Sequence, residues 1–150
     1  MRWLGIGLVV GASLTGCASS RPGATGSPEA IIESWETVDV GPMNERIDAA
    51  VSEGAEWPKS PLSATVQLLG GDVDTRILSL FEEKNRGEGA DTTVVVIVRD
   101  GFLDDSVRGD WHRIVYARGA DGMWRVAKTS RAFRCWRGHH LETFSSQWCP

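Results

Sequence analysis

The spacing of apolar residues divides this chain into three parts: contiguous over positions 3–14, recurring at threes and fours over 29–69, and gathered into short β-branched runs beyond 75. In the middle part, Ile31, Ile32, Trp35 and Val38 suit one face of a helix over 29–40, although Thr37-Val38-Asp39-Val40 could equally form a short strand. Pro42 suits the first turn of a second helix, with Ile47, Ala50 and Val51 on one face and Gly54 at its end. After the rigid corner Trp57-Pro58-Lys59-Ser60-Pro61, Ser60 can cap and Pro61 can open a third helix through Leu62, Val66 and Leu69, stopped by Gly70-Gly71.

Beyond this point the pattern predicts strands over 75–83, 92–99, 111–118 and 123–133, separated by Asn85-Arg86-Gly87, Asp100-Gly101 and Gly119-Ala120-Asp121-Gly122. Positions 94–98 are apolar on both faces, as in a central strand. Parity changes sides near 128–130, which predicts a bulge. Short connections imply antiparallel neighbours. The expected class is therefore α+β, with N-terminal helices packed on one face of a four-stranded antiparallel meander. That order resembles curved rolls of the cystatin or nuclear-transport-factor type.

The apolar run over 3–14 follows Arg2 and ends in small residues, the form of a secretory signal and too short to span a bilayer. Its last residues, Leu14-Thr15-Gly16-Cys17, resemble the lipobox of bacterial lipoproteins. The resemblance implies that residues 1–16 are removed and that Cys17 becomes an N-terminus carrying diacylglycerol and a further fatty acyl chain such as palmitate. The implied partner is thus a membrane, reached through lipid. Several acyl chains anchor stably where one would not. Residues 17–28 are small, polar and rich in breakers, the composition of a flexible tether, and 29–150 remain as one domain. Ala18 stands where the family's best-known sorting rule has an Asp for inner-membrane retention; in a diderm organism this implies the outer membrane, facing the periplasm. With Cys17 acylated, Cys135 and Cys149 are left to pair in an oxidising compartment. Closing that loop is worth about 3 kcal/mol on the chain-entropy model.

Composition adds two constraints. With 41% hydrophobic and 24% charged residues the chain is globular, and loss of Arg2 takes the formal net charge from −4 to −5, which argues against a general nucleic-acid binder. Positions 108–137 hold eight Lys or Arg against two acids, and the opposite bias runs over 29–91; pairing of the two segments within one fold accounts for both.

Four groups of residues could carry chemistry. Asp104, Asp105, Asp110 and His112, with Arg108 among them, could bind a hard cation or hold a general base. The spacing matches no calcium loop, and acids at a strand connection usually form solvated turns, with Arg108 paired to Asp104 or Asp105. Arg108-Gly109-Asp110 spells the integrin-binding tripeptide, a string short enough to recur by chance. In the tail, Cys135, His139 or His140, and Cys149 offer zinc an incomplete ligand set, and oxidation of the thiols competes with it. Last, Trp136 and Trp148 beside the clasp are the tryptophans expected to be exposed.

Elbow, zincin, phosphate-loop and dinucleotide motifs are absent, and no nucleophile, metal or cofactor is nominated. The tail from Trp124-Arg125-Val126 through Arg134-Cys135-Trp136 to the final Cys is similar to the ends of uncharacterised bacterial envelope proteins, which implies a fixed terminal clasp and supplies no catalytic role. The leading expectation is a binding or interaction module whose contact surface is Arg131, Arg134, Trp136, Arg137, His139 and His140, facing an acidic envelope protein or anionic envelope component. A hydrolase or metal-dependent enzyme using the Asp104 to His112 turn is the second, and a structural part of an envelope assembly the third.

Overall fold

The computed structural model describes residues 31–70 and 74–150. It is α+β: helices α1 (Gly41–Ser52) and α2 (Pro61–Leu69) pack on strands β1 (Glu36–Val38), β2 (Ile77–Lys84), β3 (Thr92–Asp100), β4 (Val107–Arg118) and β5 (Trp124–Cys135). All pairings are antiparallel, and the order is β1-β5-β4-β3-β2. Strands β2 to β5 are the expected meander. The sheet has five strands rather than four because the first segment returns to its far edge. The signal at 1–16, Cys17 and the tether at 17–28 lie outside the described residues.

That fifth strand corrects the helix expected over 29–40. Across 31–40 exposed and half-buried residues alternate, Ile32 bridges Phe144, and Glu36–Val38 pairs with residues 129–131 of β5. The strand alternative prevails because the edge of β5 presents backbone groups that need partners, and β-branched Thr37 and Val38 suit an extended chain. Next to it, the Asn44 side chain on α1 completes the edge: its amide donates to the Val126 carbonyl at 2.9 Å and its oxygen accepts the Val126 N–H at 2.8 Å.

Both helices follow their signals. Pro42 sits in the first turn of α1, and Gly54, at φ 75°, lies just past its end. Ser60 caps α2, its Oγ accepting the Ser63 N–H at 3.4 Å, and a 3-10 turn, Trp57–Lys59, makes the corner between the helices. Ile47, Ala64 and Leu68 of the helices bury against Val95, Ile114, Tyr116, Trp124 and Val126 of the sheet. Each large side chain among them contributes about 1.5–3 kcal/mol by leaving water. The Tyr116 hydroxyl meets Thr65 Oγ1 at 2.9 Å; burial pushes its pKa up to about 12 in spite of that bond.

Two bulges interrupt the β4–β5 ladder. Ala127 is extra between Val126 and Lys128, close to the expected change of parity, and Arg108 is extra between Val107 and Gly109. Strand β4 therefore begins at Val107, four residues earlier than its pattern suggested, because Arg-Gly-Asp reads as turn chemistry. Gly109 serves packing here: a Cβ on it would stand 2.4 Å from the Arg99 carbonyl oxygen. At the end of β5 the Cys135–Cys149 disulfide closes the chain, while Phe133 and Ser145 exchange backbone hydrogen bonds of 2.7 and 2.9 Å. We expect Gly109→Ala to force β3 and β4 apart and cost about 1–3 kcal/mol, measured as a lower urea midpoint; an unchanged midpoint would show that the approach is not tight.

Candidate functional site

Strand parity puts a charged set on the core-facing side of the sheet. Arg99, Asp110 and His112 share the face of Val95 and Ile114, and all three are buried. Burying ions costs several kcal/mol each unless their hydrogen bonds are complete. Asp110 meets that condition: it accepts from Arg99 Nε at 2.9 Å, Arg99 Nη2 at 2.5 Å and His112 Nε2 at 3.1 Å. Arg99 Nη1 also reaches the Leu69 and Gly70 carbonyls at 3.0 and 3.3 Å, so the guanidinium neutralises the C-terminal end of α2. Burial alone would raise the Asp110 pKa, but the hydrogen bonds from Arg99 and His112 outweigh it and hold the carboxyl below its ordinary 3.8. His112 Nδ1 is buried with no hydrogen-bond partner among the described residues.

Asp110 forms the floor of a cavity of ≈ 440 Å³ whose apolar walls include Phe102, Leu103, Val107, Phe133 and Trp148. The turn after β3 supplies Phe102 and Leu103. Gly101, at φ 78°, starts it, and the Gly101 and Phe102 N–H groups both donate to the Arg108 carbonyl. Trp148, next to disulfide-bonded Cys149, stands edge-on to Phe133 at 4.5 Å. The clasp thus positions a wall of the cavity. Asp104 and Asp74 complete the lining.

The acidic group expected as a metal or hydrolase site does not come together. Asp110 and His112 meet on β4, and Asp104 joins Asp110 only as lining. The Asp104 carboxylate is taken up by the Ser106 and Val107 N–H groups, both at 2.7 Å, which hold its pKa low. Asp105 is exposed, 3.7 Å from Arg137. Arg108 pairs with Asp100 at 3.2 Å and Glu142 at 3.5 Å, a correction to the expected Asp104 or Asp105, because the bulge turns it to the other face. Its tripeptide is likewise built into the sheet, with Gly109 and Asp110 buried. Among the described residues no group of three His, Cys, Asp or Glu side chains could hold a metal, and no hydrogen bond joins His112 to a hydroxyl or thiol.

The arginine region is largely neutralised from within. Arg131 pairs with Glu36 at 2.6 Å, and Arg134 pairs with Asp100 at 2.8 Å while lying 4.8 Å from the Phe144 ring centroid. Trp136 is 46% exposed and Trp148 61%. Trp136 donates to the Phe102 carbonyl at 3.1 Å and carries Arg108 on its ring. His139 and His140 are half-buried: His140 lies 3.0 Å from Glu33 and 3.2 Å from Gln147, and His139 faces the Trp148 carbonyl at 3.2 Å. The sulfurs of Cys135 and Cys149 are used by each other.

Sequence reasoning missed Arg99, Phe102 and Phe133. Arg99 carried a signal, since it continues the inward parity of Val95 and Ile97 and a charge there requires a buried partner. Phe102 and Phe133 carried none. No protein-family model, curated protein or solved structure matches the chain. No helix among the described residues is long and apolar enough to cross a membrane.

Asp110→Asn leaves Arg99 buried without its counter-charge and is expected to cost about 3–5 kcal/mol. Because the folded pKa of Asp110 is depressed, its stabilisation is fully present above the unfolded value and disappears as pH falls through the folded one. Urea unfolding between pH 7 and 2.5 should therefore show a smaller acid loss in the variant than in the wild type. Equal acid slopes would remove the ion pair from the acid response.

Proposed function

We propose that this chain is a lipid-anchored protein of the bacterial cell envelope that works as a binding module, taking a small organic ligand into the cavity beside the C-terminal clasp. The observation that carries the reading is the cavity itself: about 440 Å³, lined by aromatic and aliphatic side chains together with the carboxylates of Asp74, Asp104 and Asp110. Sites for small molecules share that composition and size range. The Leu14-Thr15-Gly16-Cys17 motif supports the anchor through acyl chains on Cys17, and Ala18 supports the periplasmic face of the outer membrane in a diderm cell. The curved-roll reading, of cystatin or nuclear-transport-factor type, belongs to the same proposal; helices on one face and two bulges in β4–β5 suit a sheet that curves around a ligand.

An acidic partner at Arg131, Arg134, Trp136, Arg137, His139 and His140 is supported less well, because Glu36 and Asp100 already take up the first two charges. Arg137, exposed and 3.7 Å from Asp105, is the charge there most open to a partner.

The test uses the full acylated chain in phosphatidylcholine nanodiscs with ¹⁵N-labelled tryptophan, titrated with benzylamine, benzoate and benzyl alcohol. At least one probe should move the Trp148 indole resonance, assigned by its loss in Trp148→Ala, with a Kd below about 1 mM. That variant, titrated by the line broadening of the probe's own aromatic protons, should bind at least tenfold more weakly. If none of the three moves the resonance, the cavity is not a binding site for small aromatic ligands.

A further inference from the structure

The sheet face turned away from the helices is only partly covered. Strand register lays two rows across it: Thr37, Ser130, Arg113, Val96 and Phe81, then Lys128, Val115, Val94 and Glu83. Phe81, Val94, Val96 and Val115 remain half-buried, while Ile32 and Phe144 pack with Val98, Trp111 and Ala132, with Val96 at the margin of that cluster. At the edge where the described chain begins, Ile31 is 64% exposed and Trp35 57%. Trp35, Arg113 and Lys128 line a shallow cavity of ≈ 280 Å³ with Ile32, Trp111 and Ser130.

Arg99, Arg108, Arg125, Arg131 and Arg134 all have carboxylate partners. Arg113 and Lys128 are exposed, and neither has one among the described residues. Arg46, Arg76 and Arg118, elsewhere on the surface, also lack a carboxylate partner among the described residues, but this face sets two such cations beside an exposed tryptophan. The carboxylate in the two rows, Glu83, lies across the sheet from Lys128, on β2. An exposed tryptophan beside unpaired cations matches a boundary between lipid and water, where an indole lies at the headgroup level and cations meet phosphates.

We propose that this face rests on anionic phospholipid headgroups, with Trp35 at the interface and Arg113 and Lys128 on lipid phosphates. The inference rests on the reading of Cys17 as the acylated anchor. Fourteen residue steps separate Cys17 from Ile31, so even a fully extended chain keeps that edge within about 50 Å of the bilayer. Residue 31 is at the margin of the face in question, so the anchor keeps this face within reach of the lipid. Asp110 and Phe133, two of the residues lining the cavity beside Trp148, have the opposite parity and lie on the other face of the sheet.

Lysine footprinting tests the proposal on the acylated full chain, in nanodiscs of phosphatidylcholine with phosphatidylglycerol at 3:1 or of phosphatidylcholine alone. Brief acetylation with a succinimidyl ester is read by peptide mass spectrometry, with Lys59, on the helix side, as the internal reference. We expect Lys128 modification relative to Lys59 to fall at least fivefold in the anionic nanodiscs, and Arg113→Glu to restore it. Intact mass counts the acyl chains separately. Acylated protein whose Lys128 stays as reactive as Lys59 overturns the orientation and leaves the anchor standing; a chain with no acyl group overturns both. Protection equal in the two nanodiscs and rising with protein concentration means that a second copy covers the face, which also overturns the proposal.

Discussion

The Arg99–Asp110 pair is the constraint on which the arrangement around the cavity depends. It joins the two central strands to the end of α2, through both carboxylate oxygens on one side and two helix carbonyls on the other. A buried pair of this kind gives little net stability over an apolar replacement, because desolvation offsets most of the attraction. Its consequence is geometric. With every donor directed, the helix end, the turn after β3 and the start of β4 are held in one arrangement, and Asp110 brings a carboxylate to the cavity lining.

On the opposite face a second ionic group does comparable work for the tail. Asp100 gathers Arg108 and Arg134, which lie over the rings of Trp136 and Phe144. Arg108 and Arg134 also donate to the Leu141 and Glu142 carbonyls. These arginines hold the last segment onto the sheet, and the disulfide fixes its end. Asp100 and Asp110, on neighbouring strands and opposite faces, thus organise the clasp and the site respectively. Much of the positive charge in the second half of the sequence is taken up by internal pairs with acids such as Glu36, Asp48 and Asp100, Arg113, Arg118 and Lys128 excepted.

The two faces of the sheet then take different roles. One carries the helices, the buried ion pair and a cavity whose wall includes Trp148. The other retains half-buried valines, exposed Trp35 and the unpaired cations Arg113 and Lys128. In the proposed arrangement the lipid-anchored edge and the second face look to the bilayer, leaving the first face to the surrounding compartment.

Local signals determined the elements and their class. Pro42, Ser60 with Pro61, and the glycines after each helix act within one turn, so α1 and α2 were legible, and the β-branched runs marked β2 to β5. Trp136 and Trp148 are exposed as expected and Cys135 and Cys149 pair, but Trp35, not singled out by the sequence, is exposed as well. Tertiary structure decided what local signals leave degenerate. Residues 31–38 fit a helix or a strand until the open edge of β5 selects the strand, and Arg108-Gly109-Asp110 reads as a turn until the close approach to Arg99 makes it part of β4. The cavity was beyond the sequence for the same reason: its parts come from two turns, two strands and the tail, and only strand register and the clasp bring Phe102, Asp110, Phe133 and Trp148 within reach of one another. Spacing along a chain reports neighbours within an element, while partners across a sheet are set by which edges and buried charges must be satisfied together.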